Sequence, residues 1–342
     1  MPDKVKFALV GTGNMGRHNA QRVITDGRGE IVAICDSSGE AAERAAAELG
    51  VADTFTEIDA LIADGDFDAA IVATPNIVHA PLSVALLDAG KHVYCEKPPA
   101  SDVAGAEAVA AAADKAAGRF MFGFNQRFDP WAQHVKKMID AGELGDIYHA
   151  QTQWLRRCFI GTFGTWFTDK ELAGGGPLLD IGVHRLDQTL WLMGFPEVET
   201  VSGMNYDCLA KAETERTGKS YSVEEFSASL LRFANGASLI LQASYLSYLP
   251  LGESEMNTLL MGTKGGCLEA GGVLRRMANH DGRSTDTVIA RFDESPVTPM
   301  GHFIDCVLDG SQPMCTAAQG LTVMKILTAI YESAEKRREV SV

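Results

Sequence analysis

Residues 5–36 read VKFALVGTGNMGRHNAQRVITDGRGEIVAICD. Phe7–Val10 is a short apolar run ending at glycine, and Ile31–Cys35 is a second, ending at Asp36. Between them Gly11-Thr-Gly13-Asn-Met-Gly16 opens a stretch of helical character. In a strand–turn–helix–strand unit, the first glycine of G-x-G-x-x-G permits the tight turn. The second lets the backbone approach a pyrophosphate, and the third lets the helix pack closely on the sheet. Amides at the helix N-terminus then face the phosphates, aided by the helix dipole. Asp36 lies roughly 20 residues past the last glycine, where an acid accepting from a ribose 2′-hydroxyl is expected. The motif alone is weak. With its strands and Asp36 it predicts a dinucleotide site built from Gly11, Gly13, Asn14, Met15, Gly16 and Asp36. A carboxylate at this point repels a 2′-phosphate. Ser37 and Ser38 follow where an arginine would serve NADP, so NAD is preferred over NADP. The plainer reading of Asp36 is a strand-ending acid that caps the next helix.

The alternation continues outward from this unit. Ala69–Ala73, His92–Cys95, Phe120–Phe122 and, more weakly, Thr54–Thr56 read as strands. Glu40–Leu49, His79–Ala89 and the alanine-rich Val103–Ala117 read as helices. Short apolar strands alternating with helices predict a parallel sheet covered on both faces, a doubly wound Rossmann domain over residues 1–123. The pattern then changes. Phe128–Ala141 reads as a helix, with Asp129 as N-cap and Pro130 in the first turn. Ile147–Leu155, Glu197–Met204, Val223–Phe233, Ala237–Tyr248 and Asn257–Met261 read as strands, and Asn235-Gly236 is a hairpin signal. One helix, Pro177–Met193, interrupts them, and a long amphipathic helix, Ala317–Lys336, closes the chain and packs back. Residues 124–342 therefore read as an α+β domain with a large, mostly antiparallel open sheet, and the fold class is α/β.

Acids outnumber bases 45 to 30, a formal net charge of −15 over 342 residues. No basic face speaks for nucleic acid as a partner. No apolar run approaches the roughly 18 residues that suggest a membrane span. The opening residues do not resemble a signal peptide, because their apolar stretch is short and runs into glycine. Seven cysteines form no C-x-x-C pair, so neither a disulfide framework nor a thiolate zinc site is indicated. Reduced cysteines in a cytoplasmic protein is the simplest expectation.

Two further clusters carry chemistry. Thr74-Pro75-Asn76 and Glu96-Lys97-Pro98 both sit at C-terminal ends of predicted parallel strands, where ligands of open α/β sheets bind. Lys97 is a surface charge on the plain reading. Set between a counter-charge and a stiffening proline, it is also a cation delivered to the cofactor side of the sheet. The second cluster is Gly174-Gly-Gly-Pro177-Leu-Leu-Asp180-Ile-Gly-Val-His184-Arg-Leu-Asp187. Pro177 suits the first helical position and the glycines read as a flexible lead-in. Asp180 and His184 are spaced i,i+4 and share a helical face. Read from spacing alone, Asp180 is either a first-turn acid or a reactive carboxylate, and His184 either a core histidine or an acid/base. A metal held by Asp180, His184 and Asp187 is disfavoured, since no other His or Cys cluster completes a ligand set.

At this point the chain resembles the Gfo/Idh/MocA oxidoreductase family. The resemblance is carried by ALVGTGNMGRHNA (8–20), VATPNIVHAPLSVALLDAGKHVYCEKPPA (72–100), GFNQRFDP (123–130), GGGPLLDIGVHRLDQTLWLMG (174–194) and AIYESAEKRREV (329–340). It implies Thr74, Pro75, Asn76, His79, Glu96 and Lys97 as further cofactor contacts. It also implies Lys97, Asp180 and His184 as a catalytic set acting on a hydroxyl carbon of a sugar, sugar derivative or cyclitol. In that set Lys97 supports the developing alkoxide, His184 is the general acid/base and Asp180 positions the hydroxyl. Asn125 aligns with a pocket-lining position, and Tyr245 is a further candidate. The aromatic segment Leu155–Ala173 precedes the catalytic helix, so Trp166 could stack on a sugar ring and Arg156 or Arg157 reach its hydroxyls. The family's open sheet implies a homodimer or homotetramer. Two alternatives stand beside the dehydrogenase. One is a tightly bound NAD used in redox-assisted glycoside cleavage or sugar-to-sugar hydride transfer. The other is a non-catalytic dinucleotide-binding regulator.

Overall fold

A computed structural model describes residues 4–157, 163–250, 256–292 and 297–342. The chain divides into two compact units: Met1–Phe124 with Val297–Met324, and Asn125–Pro296 with Lys325–Val342.

In the first unit β1 (Val5–Val10), α1 (Asn14–Asp26), β2 (Gly29–Cys35), α2 (Gly39–Leu49), β3 (Asp53–Phe55), α3 (Ile58–Asp64), β4 (Ala69–Val72), α4 (His79–Asp88), β5 (His92–Cys95), α5 (Val103–Lys115) and β6 (Phe120–Phe122) alternate. The six strands pair in parallel in the order β3-β2-β1-β4-β5-β6. The central strands are buried on both faces, which is why they read as continuous apolar runs and not as alternating ones. The order in which strands are added reverses between β1 and β4, and at such a switch point the loops after the two parallel strands diverge at their carboxyl ends. The helix Pro299–Asp309 joins this unit through Phe303, whose ring lies 6.2 Å from Phe7 and 5.7 Å from Tyr94.

The second unit holds α6 (Pro130–Asp140), β7 (Ile147–Leu155), α7 (Lys170–Ala173), a π-helical turn (Leu178–Gly182) running into α8 (Val183–Leu192), β8 (Val198–Tyr206), α9 (Cys208–Thr217), β9 (Phe226–Phe233), β10 (Ser238–Ser244), β11 (Met256–Gly262), β12 (Gly266–Ala270), β13 (Val273–His280), β14 (Arg283–Ile289) and β15 (Val340–Ser341). Its nine strands run in the order β14-β13-β12-β11-β7-β10-β9-β8-β15. Asn235-Gly236 makes the β9–β10 turn, with Gly236 at φ 83° and the Asn235 side chain accepting from the Ala237 amide. All pairings are antiparallel except one: β7 and β10 run parallel. Leu239, Leu241 and Ala243 of β10 are buried beneath the helix layer, while Ile240 and Gln242 on the other face are half-exposed.

Asp129 occupies the N-cap of α6 by position, but its side chain makes no cap bond. Strands β12–β14 and helices α3, α9 and Pro299–Asp309 do not stand out in the sequence. The β14 residues are exposed on both sides, so no alternation marks them. No helix among the described residues is long and apolar enough to cross a membrane. Cys35, Cys95, Cys208, Cys267, Cys306 and Cys315 are free thiols, and Cys158 lies outside the described residues.

Candidate active site

The glycine loop after β1 is shaped by close approach. Gly11 has φ +91°, and a Cβ there would lie 2.5 Å from the Ala73 carbonyl oxygen, at the end of β4. A Cβ on Gly16 would lie 2.1 Å from the Gly11 oxygen, while Gly13 faces open space. Helix α1 has no acid in its first turn, and its N-cap, Gly13, has no side chain to offer its leading amides. Asn14 and Met15 are exposed beside them. These are the properties of a helix start left open for a pyrophosphate. Asp36 sits one loop away. Its Oδ2 accepts from the Thr12 amide at 2.9 Å and the Thr12 hydroxyl at 2.7 Å, and its Oδ1 accepts from the Ser38 amide at 3.0 Å. Burial works to raise its pKa, but these bonds outweigh it and hold the carboxyl below its usual range. Ser38, not Asp36, caps α2, accepting from the Ala41 amide.

Thr74-Pro75-Asn76 and Glu96-Lys97-Pro98 follow β4 and β5 on the same edge of the sheet. Thr74 Oγ1 is buried without a hydrogen-bond partner among the described residues. Lys97 is half-buried. Two of the sequence candidates face inward. His79 is buried and places its ring nitrogens 2.9 Å from the Pro98 carbonyl and 2.8 Å from the Thr74 carbonyl, so it ties the two loops together from behind. Glu96 is buried and accepts from Asn19 Nδ2 at 2.6 Å, joining the end of β5 to α1; burial pushes its carboxyl up.

In the second unit the parallel pair β7/β10 sends two strand ends to one edge. Trp154 lies opposite Ala243, and Arg156 and Tyr245 follow on the same face. The segment carrying Asp180 and His184 crosses here. Tyr245, buried, donates from its hydroxyl to Asp180 Oδ2 at 2.8 Å. Burial, then the Asp180 charge, pushes the phenol well above its ordinary pKa, which fixes it as the donor. Trp154 packs on Ile181, Ala243 and Tyr245, with its ring centroid 6.1 Å from that of His184. The structure thus gathers Asp180, His184 and Tyr245, and adds Trp154, whose one signal in the sequence is its place two residues before Arg156 on an alternating strand. Arg156 lies over the Trp154 ring at 5.0 Å, whereas Arg157 is exposed. Trp166 is half-buried and stacks on Phe167 at 3.9 Å. Residues 158–162 of the aromatic segment lie outside the described residues. Asn125 is half-buried, its Oδ1 without a partner among the described residues.

Asp187 is committed elsewhere. It accepts from Arg127 Nε at 2.8 Å and Nη2 at 2.5 Å, a buried two-pronged pair, so it does not join Asp180 and His184 in a ligand set. Arg185, also buried, donates to Thr152 Oγ1, Gln126 Oε1 and Thr258 Oγ1, pinning α8 to β7 and β11; burial pushes its pKa down to about 10.

Comparison with known proteins agrees with both halves of this picture. Residues 5–124 match the profile of an oxidoreductase family, NAD-binding Rossmann fold, and residues 136–342 that of the same oxidoreductase family's C-terminal alpha/beta domain. D-glucoside 3-dehydrogenase of Escherichia coli K12 is 30% identical over 337 residues, spanning 97% of this chain and 95% of that protein. Inositol 2-dehydrogenase of Rhizobium meliloti is 26% identical, spanning 99% of each. Among solved structures, an aldose-aldose oxidoreductase from Caulobacter crescentus complexed with glycerol superposes with a TM-score of 0.83 at 26% identity, over 99% of this chain and 100% of that one. Levoglucosan dehydrogenase, in complex with NADH and levoglucosan, shares the fold with a TM-score of 0.86 at 23% identity, over 99% of this chain and 100% of that one.

Proposed function

The chain belongs to the Gfo/Idh/MocA oxidoreductase family, and on that premise we propose that it is a dehydrogenase of a sugar, sugar derivative or cyclitol that prefers NAD over NADP, with Lys97, Asp180 and His184 as its catalytic set. Bound nicotinamide supplies the hydride acceptor. The protein's residues handle the proton and the oxygen. His184 takes the hydroxyl proton as general base and returns it in the reverse direction. Lys97 donates to the same oxygen and supports its alkoxide charge. Asp180, held in one orientation by Tyr245, accepts from a substrate hydroxyl and sets its position. The observation that carries the reading is this carboxylate, fixed by a buried phenol, beside an imidazole packed on Trp154.

Trp154 offers a flat apolar face to a sugar ring, and Arg156, laid on it, is the cation that reads substituents away from the reacting carbon. Arg156, not the exposed Arg157, takes this role. Asn125, Trp166 and Tyr245 line or support the same substrate site. On the far face of the sheet Leu230, Ile240, Leu259 and Leu268 stand in register with exposed Gln151 at their centre, and we assign this row to pairing between copies of the chain. Light scattering on the purified protein tests the assignment: a dimer or tetramer supports it, and a monomer removes it.

The test is a screen of pyranoses, methyl glucosides and inositols with NAD and NADP in parallel, read as absorbance of the reduced cofactor. Reduced NAD formed in proportion to substrate consumed supports the proposal. The aldose-aldose relative favours one competitor, hydride exchange between two sugars. Paired oxidation and reduction, or bond cleavage, without net NADH would replace the dehydrogenase reading.

A further inference from the structure

The segment that carries Asp180 and His184 starts with three glycines and Pro177, and Pro177 caps it with no side-chain bond. Its leading amides are nevertheless satisfied. Glu224, buried just ahead of β9, accepts from the Gly176 amide through Oε2 at 3.0 Å and from the Leu178 amide through Oε1 at 3.1 Å. Tyr331, from the helix Ala317–Lys336, donates to Glu224 Oε1 at 2.9 Å. Tyr221 donates to the Glu224 backbone carbonyl at 2.9 Å, holding the residue from its other side.

Two of the three glycines make room for this contact. A Cβ on Gly175 would lie 2.1 Å from the Tyr331 hydroxyl oxygen, and one on Gly176 would lie 2.2 Å from the Glu224 carbonyl oxygen. The run read in the sequence as a flexible lead-in is a place of close approach, filled by the Tyr331 side chain and by Glu224, from distant parts of the chain. It connects directly to the site. Gly176, whose amide Glu224 grips, gives its carbonyl to the Asp180 amide at 3.0 Å. The following turn is π-helical, a geometry rarer than the α-helix and often found at functional sites, so its start needs an outside anchor.

We propose that Glu224, locked by Tyr331, is a positioning residue for the reaction: an N-cap supplied from a distant part of the chain that sets the placement of Asp180 and His184. The inference rests on the reading of those two residues as catalytic. A carboxylate serves here because two amides and a hydroxyl converge on it, all donors. An amide side chain would turn one of its own N–H groups toward them.

The experiment compares Glu224→Gln, Tyr331→Phe and His184→Ala in the full chain, with NAD and methyl glucoside or myo-inositol. It measures kcat and KM, NADH affinity by fluorescence titration, melting temperature, and deuterium exchange of the peptide 174–184. Tyr331→Phe is expected to lower kcat about tenfold and Glu224→Gln up to about a hundredfold, the range set by small misplacements of catalytic groups. Exchange over 174–184 should quicken, and NADH affinity should stay within about twofold because the dinucleotide residues are untouched. Wild-type kcat in folded Tyr331→Phe and Glu224→Gln overturns the proposal, as does a loss that merely follows the folded fraction. If His184→Ala is inactive while those variants turn over normally, only the positioning role fails. If His184→Ala keeps full activity, the catalytic reading fails and this inference falls with it.

Discussion

Replacing Asp36 by alanine tests the cofactor site without any knowledge of the substrate. The carboxylate holds the glycine loop through two bonds to Thr12 and one to the Ser38 amide. At about 1 kcal/mol net for each bond, with one of them replaced by water in this half-exposed setting, folding stability should fall by about 2 kcal/mol. The larger effect is on binding. A charged acceptor for a ribose 2′-hydroxyl contributes about 1.5–3 kcal/mol, so NADH affinity should drop roughly 10- to 150-fold. NADPH affinity should hold or rise, because the charge that repels its phosphate is gone. Titration of cofactor fluorescence with both nucleotides gives the ratio directly. The pH dependence follows from the lowered pKa of Asp36. A carboxylate whose folded pKa is depressed keeps its full contribution above its unfolded pKa and loses it as pH falls through the folded value. NADH binding by the parent protein should therefore show no Asp36 step between about pH 5 and 8 and weaken only in acid. An unchanged NADH-to-NADPH ratio in Asp36→Ala would refute the assignment.

Three other perturbations follow from the geometry. Gly16→Ala forces a methyl to 2.1 Å from the Gly11 oxygen, so the variant should lose both NADH binding and several degrees of melting temperature; calorimetry that finds it unchanged contradicts the loop packing. Asp187→Asn removes the carboxylate charge paired with buried Arg127 and should cost about 3–5 kcal/mol in denaturant unfolding. Arg156→Ala should raise KM for the sugar at least several-fold with NADH affinity intact, while Arg157→Ala should leave both near wild type; equal effects would remove Arg156 from the site.

The parallel sheet was legible because its central strands are buried on both faces and two glycines of the first loop, Gly11 and Gly16, answer a steric need that no other residue meets. The second unit was legible only where one face is buried. Ala237–Tyr248 shows the alternation; β14, exposed on both sides, shows nothing. Strand limits moved where side chains had other work. Val223–Phe233 begins as a strand only at Phe226, because Glu224 grips the Gly176 and Leu178 amides and Glu225 accepts from Leu209 and Ala210 at the start of α9.

The sequence by itself determined the glycine loop, the acid that follows β2 and the i,i+4 spacing of Asp180 and His184, because these depend on local geometry and on distances measured along one chain segment. Only the tertiary structure decided which residues of these motifs turn inward as braces. His79 and Glu96 share motifs with Lys97, yet both turn inward to hold loops and helix. Tyr245 meets Asp180 through the parallel pairing of β7 and β10, and Glu224 meets Gly176 across 48 residues. Contacts of that kind are fixed by which buried surfaces pack together, a property no single segment carries.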